Sequence, residues 1–187
     1  EYDGTSWTTG GSLINARMCL AGGGTQNTTM TAGGYNLTPN YTHGYTEEYD
    51  GTSWSTGGSL INAQQSNAVA GNSSAGISAG GMDENYNCST CTEQYNGTSW
   101  SSTGAMITTN ACQRAGAGTS KCMLVAGAYT PIGHDTCTEE FTEPDPYFRT
   151  TLSFNGTTGN TVATGSFTGS FGGTMTGSFG GDATNSF

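Results

Sequence analysis

The residue types able to do chemistry are few in this chain, and they are scattered. Six cysteines stand at Cys19, Cys88, Cys91, Cys112, Cys122 and Cys137. The run CSTC at Cys88–Cys91 has the spacing of a metal-ligand pair, since two thiolates so placed can share one ion. No second pair of this kind follows, and the two histidines, His43 and His134, lie elsewhere. The spacing therefore predicts no metal site and no redox dithiol. Small buried thiols, or one or two disulfides of undetermined pairing, are expected instead. Asp83-Glu84, Glu139-Glu140, Glu143 and Asp145 are the carboxylates that could form an acid–base pair. They read as solvated charges at turns and strand edges. No Asp or Ser recurs beside either histidine, so the sequence predicts no catalytic residue, no cofactor and no enzyme activity. Aromatic side chains with a polar tip are better represented. Tyr35, Tyr41, Tyr45, Tyr86, Tyr129 and His134 fall in the variable segments 35–45, 82–91 and 129–137. Such rings stack on flat apolar faces while the hydroxyl or imidazole forms hydrogen bonds, which makes these six the expected ligand-binding residues.

The bulk composition narrows the partners. Among 187 residues only four are basic, and the net charge is −10. Arg17, Arg114, Lys121 and Arg149 are dispersed, so no patch can neutralise a phosphate backbone, and nucleic acid is not an expected partner. The longest apolar run, CMLVAGA at Cys122–Ala128, is far too short to cross a bilayer as a helix. Three Trp, nine Tyr and seven Phe supply anchors that a disordered Gly/Ser/Thr-rich chain would lack.

Those anchors recur in register. EYDGTSW at Glu1–Trp7 returns unchanged at Glu48–Trp54 and as QYNGTSW at Gln94–Trp100. Each copy is followed by a run related to TGGSLINA, then by small residues, then by a glycine doublet. The doublets are Gly33-Gly34 and Gly80-Gly81, with Gly127-Ala128 as a weakened third. Each unit closes on TEEY, TEQY or TEEF. High Gly content and β-branched Thr disfavour helix. A repeat of this length with turn residues at regular intervals divides into four short strands, expected in the first unit at 16–22, 27–34, 45–50 and 52–57. Asp-Gly and Asn-Gly between Tyr and Trp predict a tight type I′ hairpin turn. The Tyr and Trp rings are expected between neighbouring sheets, and the doublet where backbones approach closely.

The order Gly33-Gly34…Tyr49…Trp54, repeated as Gly80-Gly81…Tyr95…Trp100, resembles the kelch repeat. The resemblance covers roughly residues 1–150 and implies an all-β domain of four-stranded, propeller-like blades. The wording of the repeat, TEEYDGTSW…GGSL…AR…AGGGTQ, is similar to kelch-like structural proteins of tailed phages. Residues 151–187 form a second region with a different period. From Thr164 it reads TGSF TGSF GGTM TGSF, which puts Phe167, Phe171, Met175 and Phe179 on one face of an extended strand. A lone strand cannot bury those rings, so the tail is expected to join subunits of a homo-oligomer, a trimer by the resemblance; a flexible Gly/Ser linker is the alternative reading. The resemblance implies a virion-surface or extracellular structural protein, of tail-fibre or surface-appendage type, with other virion proteins as partners and host-surface glycans as ligands. A purely architectural capsid decoration or filament subunit is the alternative.

Overall fold

Alternating small and β-branched residues, broken by Gly, Asn and Asp, leave the chain no route to regular structure except short strands. In the computed structural model of the protein, residues 1–37, 40–109, 112–130 and 133–143 are described. No helix occurs among them, and none is long and apolar enough to cross a membrane. The chain divides into two units, Glu1–Pro146 and Tyr147–Phe187. The second lies outside the described residues, as do Phe167, Phe171, Met175 and Phe179, and also Asp145.

The first sheet contains β1 (Ala21–Thr25) and β2 (Thr28–Ala32). A small hairpin of β3 (Tyr35–Leu37) and β4 (Asn40–Thr42) follows, and the sheet resumes with β5 (Thr46–Tyr49) and β6 (Trp54–Thr56). The second sheet contains β7 (Ala68–Asn72), β8 (Ala75–Ala79), β9 (Thr92–Tyr95) and β10 (Trp100–Ser102), and the third contains β11 (Ala115–Gly118), β12 (Cys122–Thr130) and β13 (Gly133–Thr142). Each sheet is antiparallel with its strands side by side in chain order, apart from the inserted hairpin. The expectation of an all-β domain made of small strands therefore holds.

Two local expectations need correction. The strand placed at 16–22 forms at Ala21–Thr25 instead, because the residues before it serve another purpose: Arg17 reaches a buried carboxylate and Met18 bridges to Tyr35. The Tyr–Trp hairpins do not use a two-residue type I′ turn. Tyr49 lies directly opposite Trp54, so four residues separate them. The Asp50 carboxylate accepts the N–H groups of Thr52 and Ser53, both at 2.8 Å. Asp3 and Asn96 repeat the arrangement with Thr5 and Ser6 and with Thr98 and Ser99. Only the glycine of each loop has positive φ, at 97° for Gly4, 94° for Gly51 and 88° for Gly97. The loop is an Asx turn, and the acidic or amide residue is there as a hydrogen-bond acceptor.

Packing between sheets follows the repeat. Met30, Ala32, Leu60, Val69, Tyr95 and Trp100 form one buried cluster between the first and second sheets. Ala68, Ala70, Ile77, Ala79, Met123 and Val125 form the next, between the second and third. Trp100 donates its Nε1–H to Thr46 Oγ1 and to the Gly58 carbonyl, both at 2.9 Å. Tyr95 donates its hydroxyl to Glu48 at 2.5 Å. One unit earlier, Trp54 donates to the Gly11 carbonyl at 3.0 Å and the Tyr49 hydroxyl to Glu1. Tyr95 and Trp100 thus occupy an inter-sheet position, as the sequence predicts, whereas Tyr49 and Trp54 meet residues 1–11 and Tyr2 and Trp7 are exposed. The third unit changes all three partners together: Phe141 stands where Tyr95 would, Gln94 where Glu48 would, and Thr103 where Gly57 would. The glycine is required only while a hydroxyl lies above it, since a Cβ on Gly57 would come within 2.7 Å of Tyr95 Oη.

Candidate ligand-binding site

The glycine doublets bring the units together around a cavity. Gly33 and Gly34 have φ of 74° and 121°, and Gly80 and Gly81 of 64° and 108°. A Cβ on Gly33 would lie 2.3 Å from the Gln64 carbonyl oxygen, and one on Gly81 would lie 2.8 Å from that of Gln65. Both the conformation and the space therefore demand glycine. Just beyond each doublet the chain bridges back to the start of its own unit, through Met18–Tyr35, Gln65–Met82 and Cys112–Tyr129. The residue after each bridge, Cys19, Ser66 or Gln113, has φ of 56°, 54° or 56°. Non-glycine residues hold this left-handed conformation only where their surroundings impose it. Cys19 and Ser66 are further tied by a backbone hydrogen bond of 2.7 Å.

These bridges and turns line a cavity of about 570 Å³ together with Tyr86 and Cys88. Its walls are mostly apolar with a few polar groups, the usual make-up of a small-molecule site. Three of the six expected ligand residues meet here: Tyr35, Tyr86 and Tyr129. Tyr35 is buried, Tyr86 and Tyr129 are exposed. The Tyr35 and Tyr86 hydroxyls are 3.2 Å apart, and this hydrogen bond, with burial, pushes the Tyr35 phenol above its ordinary pKa. His134 lies opposite Tyr129 in the β12–β13 hairpin, with ring centres 6.4 Å apart edge to face, and does not line the cavity. Tyr41 and Tyr45 are not part of this group. They flank His43, which stacks on Tyr45 at 4.6 Å and meets Tyr41 at 5.0 Å. Burial, helped by the Arg17 charge, lowers the His43 pKa, so this imidazole is neutral near pH 7.

Gln65, Ser66 and Gln113 bring the amide and hydroxyl groups of the site. Sequence reasoning passed over them, although the 47-residue interval linking Cys19, Ser66 and Gln113 was available as a signal. A disulfide joins Cys88 to Cys112 at the cavity wall, while Cys19, Cys91, Cys122 and Cys137 are free thiols. Cys88 is thus committed to a covalent bond with Cys112 and not to a shared ion with Cys91. Among the described residues no group of His, Cys, Asp and Glu is arranged to hold a metal ion.

The carboxylates have other work. Glu47 is fully buried and accepts N–H from Ile14 and Asn15 at 2.8 and 3.1 Å, and pairs with Arg17. Glu93 accepts from Ile61 and Asn62 at 2.8 and 2.9 Å. Glu139 accepts from Ile107 and Thr108 and pairs with Arg114 at 2.7 Å. Glu139 is therefore no solvated edge charge, as its sequence context had suggested; it clamps the loop of its own unit. Burial pushes the Glu47 and Glu139 carboxyls up, but the backbone donors and the guanidinium outweigh it, leaving both below the usual range. Asp83 is half-buried, and Asn87 and neighbouring N–H groups in its own turn hold its carboxyl below the usual range. Glu143 makes an exposed pair with Lys121 at 3.5 Å.

No family model matches the chain, and no curated protein matches it. Among solved structures the chain is similar to one described as "Structure of YjhT", with a TM-score of 0.58 at 15% identity. The similarity covers 70% of this chain and 43% of that one, so the chain spans less than half of the neighbour's length. At this identity the likeness is one of fold alone.

Proposed function

We propose that the chain is a non-enzymatic structural protein of a tailed-phage virion, of tail-fibre or surface-appendage type, which takes host-surface glycans in the tyrosine-lined cavity. The observation that carries this reading is the convergence of Tyr35, Tyr86 and Tyr129 on one cavity with Gln65, Ser66 and Gln113 beside them. Sugars offer C–H faces that stack on aromatic rings and hydroxyls that pair with amides and phenols. The non-enzymatic part is supported by Glu47, Glu93 and Glu139, which spend their oxygens on backbone donors and leave no carboxylate pair facing the cavity among the described residues. The sheets are read as kelch-like blades because the first two repeat the same four-strand order and the same Tyr–Trp contact, and the third keeps three strands of that order. The phage origin, the virion-surface location, the other virion proteins and trimerisation through 151–187 rest on the resemblance of the repeat and tail sequences.

Binding of the full chain to an immobilised oligosaccharide panel tests the ligand part, with mass spectrometry of the bound sugars as the check for turnover. Binding that falls at least tenfold in Tyr129→Ala and leaves the sugars intact supports it. Cleaved sugars would sink the non-enzymatic reading. Absence of binding would favour the architectural alternative.

A further inference from the structure

The three units hold the same glutamate by the same donors, but only two of them supply a counter-charge. Glu47 accepts the backbone N–H groups of Ile14 and Asn15 and the Asn15 side-chain amide. Glu93 accepts the equivalent three from Ile61 and Asn62, and Glu139 accepts from Ile107 and Thr108. A carboxylate has room for about four such bonds. Glu47 takes its remaining one from Arg17 and Glu139 from Arg114. Glu93 is 3% exposed, and among the described residues no basic side chain pairs with it. The second unit stands between the other two in the chain, so this gap is internal to the repeat array.

The neighbouring units keep the charge but not its position. The bridges Met18–Tyr35, Gln65–Met82 and Cys112–Tyr129 align the three units. By that alignment Arg17 stands one residue before its bridge and Arg114 two residues after. Two different positions thus bring a guanidinium to the same carboxylate. In the second unit both positions hold amides, Gln64 and Asn67, which are 5% and 4% exposed. Gln64 Oε1 and Asn67 Oδ1 are buried without a hydrogen-bond partner. The surroundings of the guanidinium are otherwise retained. Thr31, opposite Glu47, accepts from Arg17 at 3.1 Å; Ser78, opposite Glu93, accepts from the Asn67 amide nitrogen at 2.8 Å. A Cβ on Gly34 would lie 2.9 Å from the Arg17 side chain, and one on Gly81 would lie 3.1 Å from Gln64 Oε1 and 3.0 Å from Asn67 Cβ. The two amide side chains therefore meet beside Gly81. Asn62 and Gln64 also line a cavity of about 440 Å³ together with Asp83 and Asn87, a polar approach for a small ion.

We infer that the second unit binds a small monovalent metal cation, of the sodium or potassium class, between the Glu93 carboxylate and the Gln64 and Asn67 amide oxygens. A buried carboxylate is costly without a counter-charge, and buried oxygens without donors add to that cost. One cation answers all three. The ligands are a carboxylate and neutral oxygens, the set that hard metal ions take in preference to thiolate or imidazole. A single positive charge restores the balance that one guanidinium gives each neighbouring unit. The site uses one carboxylate only, which agrees with the lack of any His, Cys, Asp and Glu grouping for a metal among the described residues. Glu93, Gln64 and Asn67 do not line the tyrosine cavity, so failure of this site would leave the proposed ligand function standing.

Thermal melts of the full chain in sodium, potassium and choline chloride at equal ionic strength test this, because choline is too large for so buried a site. At tenfold excess over its dissociation constant, the preferred metal ion should raise Tm by about 3–6 °C above the value in choline. Gln64→Arg supplies the guanidinium of the first unit and leaves the Gln64 backbone carbonyl on Gly34 undisturbed. It should melt in choline as high as wild type does in the preferred salt, and show no difference between salts. Glu93→Gln should lose the difference too, from a lower Tm; if it does not fold, Gln64→Arg alone decides. Identical wild-type melts in the three salts overturn the proposal. So does a salt preference that survives Gln64→Arg, which would place the ion elsewhere. Stabilisation by calcium chloride without any by sodium or potassium overturns the monovalent assignment.

Discussion

At the scale of single residues, the same side-chain type is put to opposite uses by its partners. Tyr95 is buried and donates to Glu48, and burial followed by that hydrogen bond pushes its phenol up to about 12. The folded value exceeds that of the unfolded chain, so the contribution of Tyr95 is complete below about pH 10 and is lost as pH rises through 12. Spectrophotometric titration should find one tyrosine ionising near 12, absent in Tyr95→Phe, which should also cost about 1–2 kcal/mol through the lost hydrogen bond. Glu47 has the opposite sign. Its carboxyl is held below the ordinary range, so its stabilisation is present above the unfolded value near about pH 4.3 and disappears as pH falls through the lower folded value. Glu47→Gln should cost about 3 kcal/mol, because it leaves the buried Arg17 guanidinium without its counter-charge, and it should flatten the acid side of the stability profile. Glu93→Gln should cost less, since Gln64 stands where the first unit has Arg17 and no buried guanidinium loses its counter-charge, although the single amide oxygen keeps only one of the Ile61 and Asn62 donors. Urea melts of the two variants at pH 7 compare them. These glutamates were visible in the sequence as the constant TE of each closing motif, but their role was not. Their partners are backbone N–H groups some thirty residues upstream, and backbone donors leave no mark on residue identity.

At the scale of elements, strands and inter-sheet rings were legible because periodicity and aromatic spacing act through packing, which repeats with the sequence. The β3–β4 hairpin and the late start of β1 were not legible, since nothing in YNLTPNYT or ARMCLAG departs from the composition around it. The glycine doublet was read correctly as a close approach, and two glycines now separate its two requirements. Gly4 has φ of 97° with open space around its Cβ position, whereas Gly33 has φ of 74° and the Gln64 carbonyl 2.3 Å from that position. Gly4→Ala should therefore cost only the left-handed strain, about 1 kcal/mol. Gly33→Ala adds a backbone collision that cannot relax without parting the first and second units, and should cost several times as much. Thermal melts of the two variants make the comparison; equal losses would mean that conformation alone selects the glycines.

At the scale of the whole described array, stability should be unequal along the chain, because each sheet leans on its neighbours. The second sheet is covered on both faces by the two buried clusters. Among the described residues the third is covered on one: Leu124 and Tyr129 are exposed, and every residue of β11 is exposed. The third unit is tied to the second by the packing of Met123, Val125 and Phe141, by the hydrogen bond from Gln94 to the Ser120 carbonyl, and by the Cys88–Cys112 disulfide, which closes a stretch of 24 residues. Closing a loop of that length limits the unfolded chain by about 3 kcal/mol in the chain-entropy account. Hydrogen exchange should accordingly be fastest in β11–β13 and slowest in β7–β9. Cys88→Ser with Cys112→Ser should accelerate exchange in β11–β13 and spare β1 and β2. The cavity shares that dependence, since Tyr129 and Gln113 come from the third unit and Tyr35 from the first. If the cavity binds a ligand, saturating it should slow exchange in the third unit most, because that unit has the most protection to gain. Uniform slowing across all three sheets would mean that the array opens as one cooperative body and that the third unit is no looser than the rest.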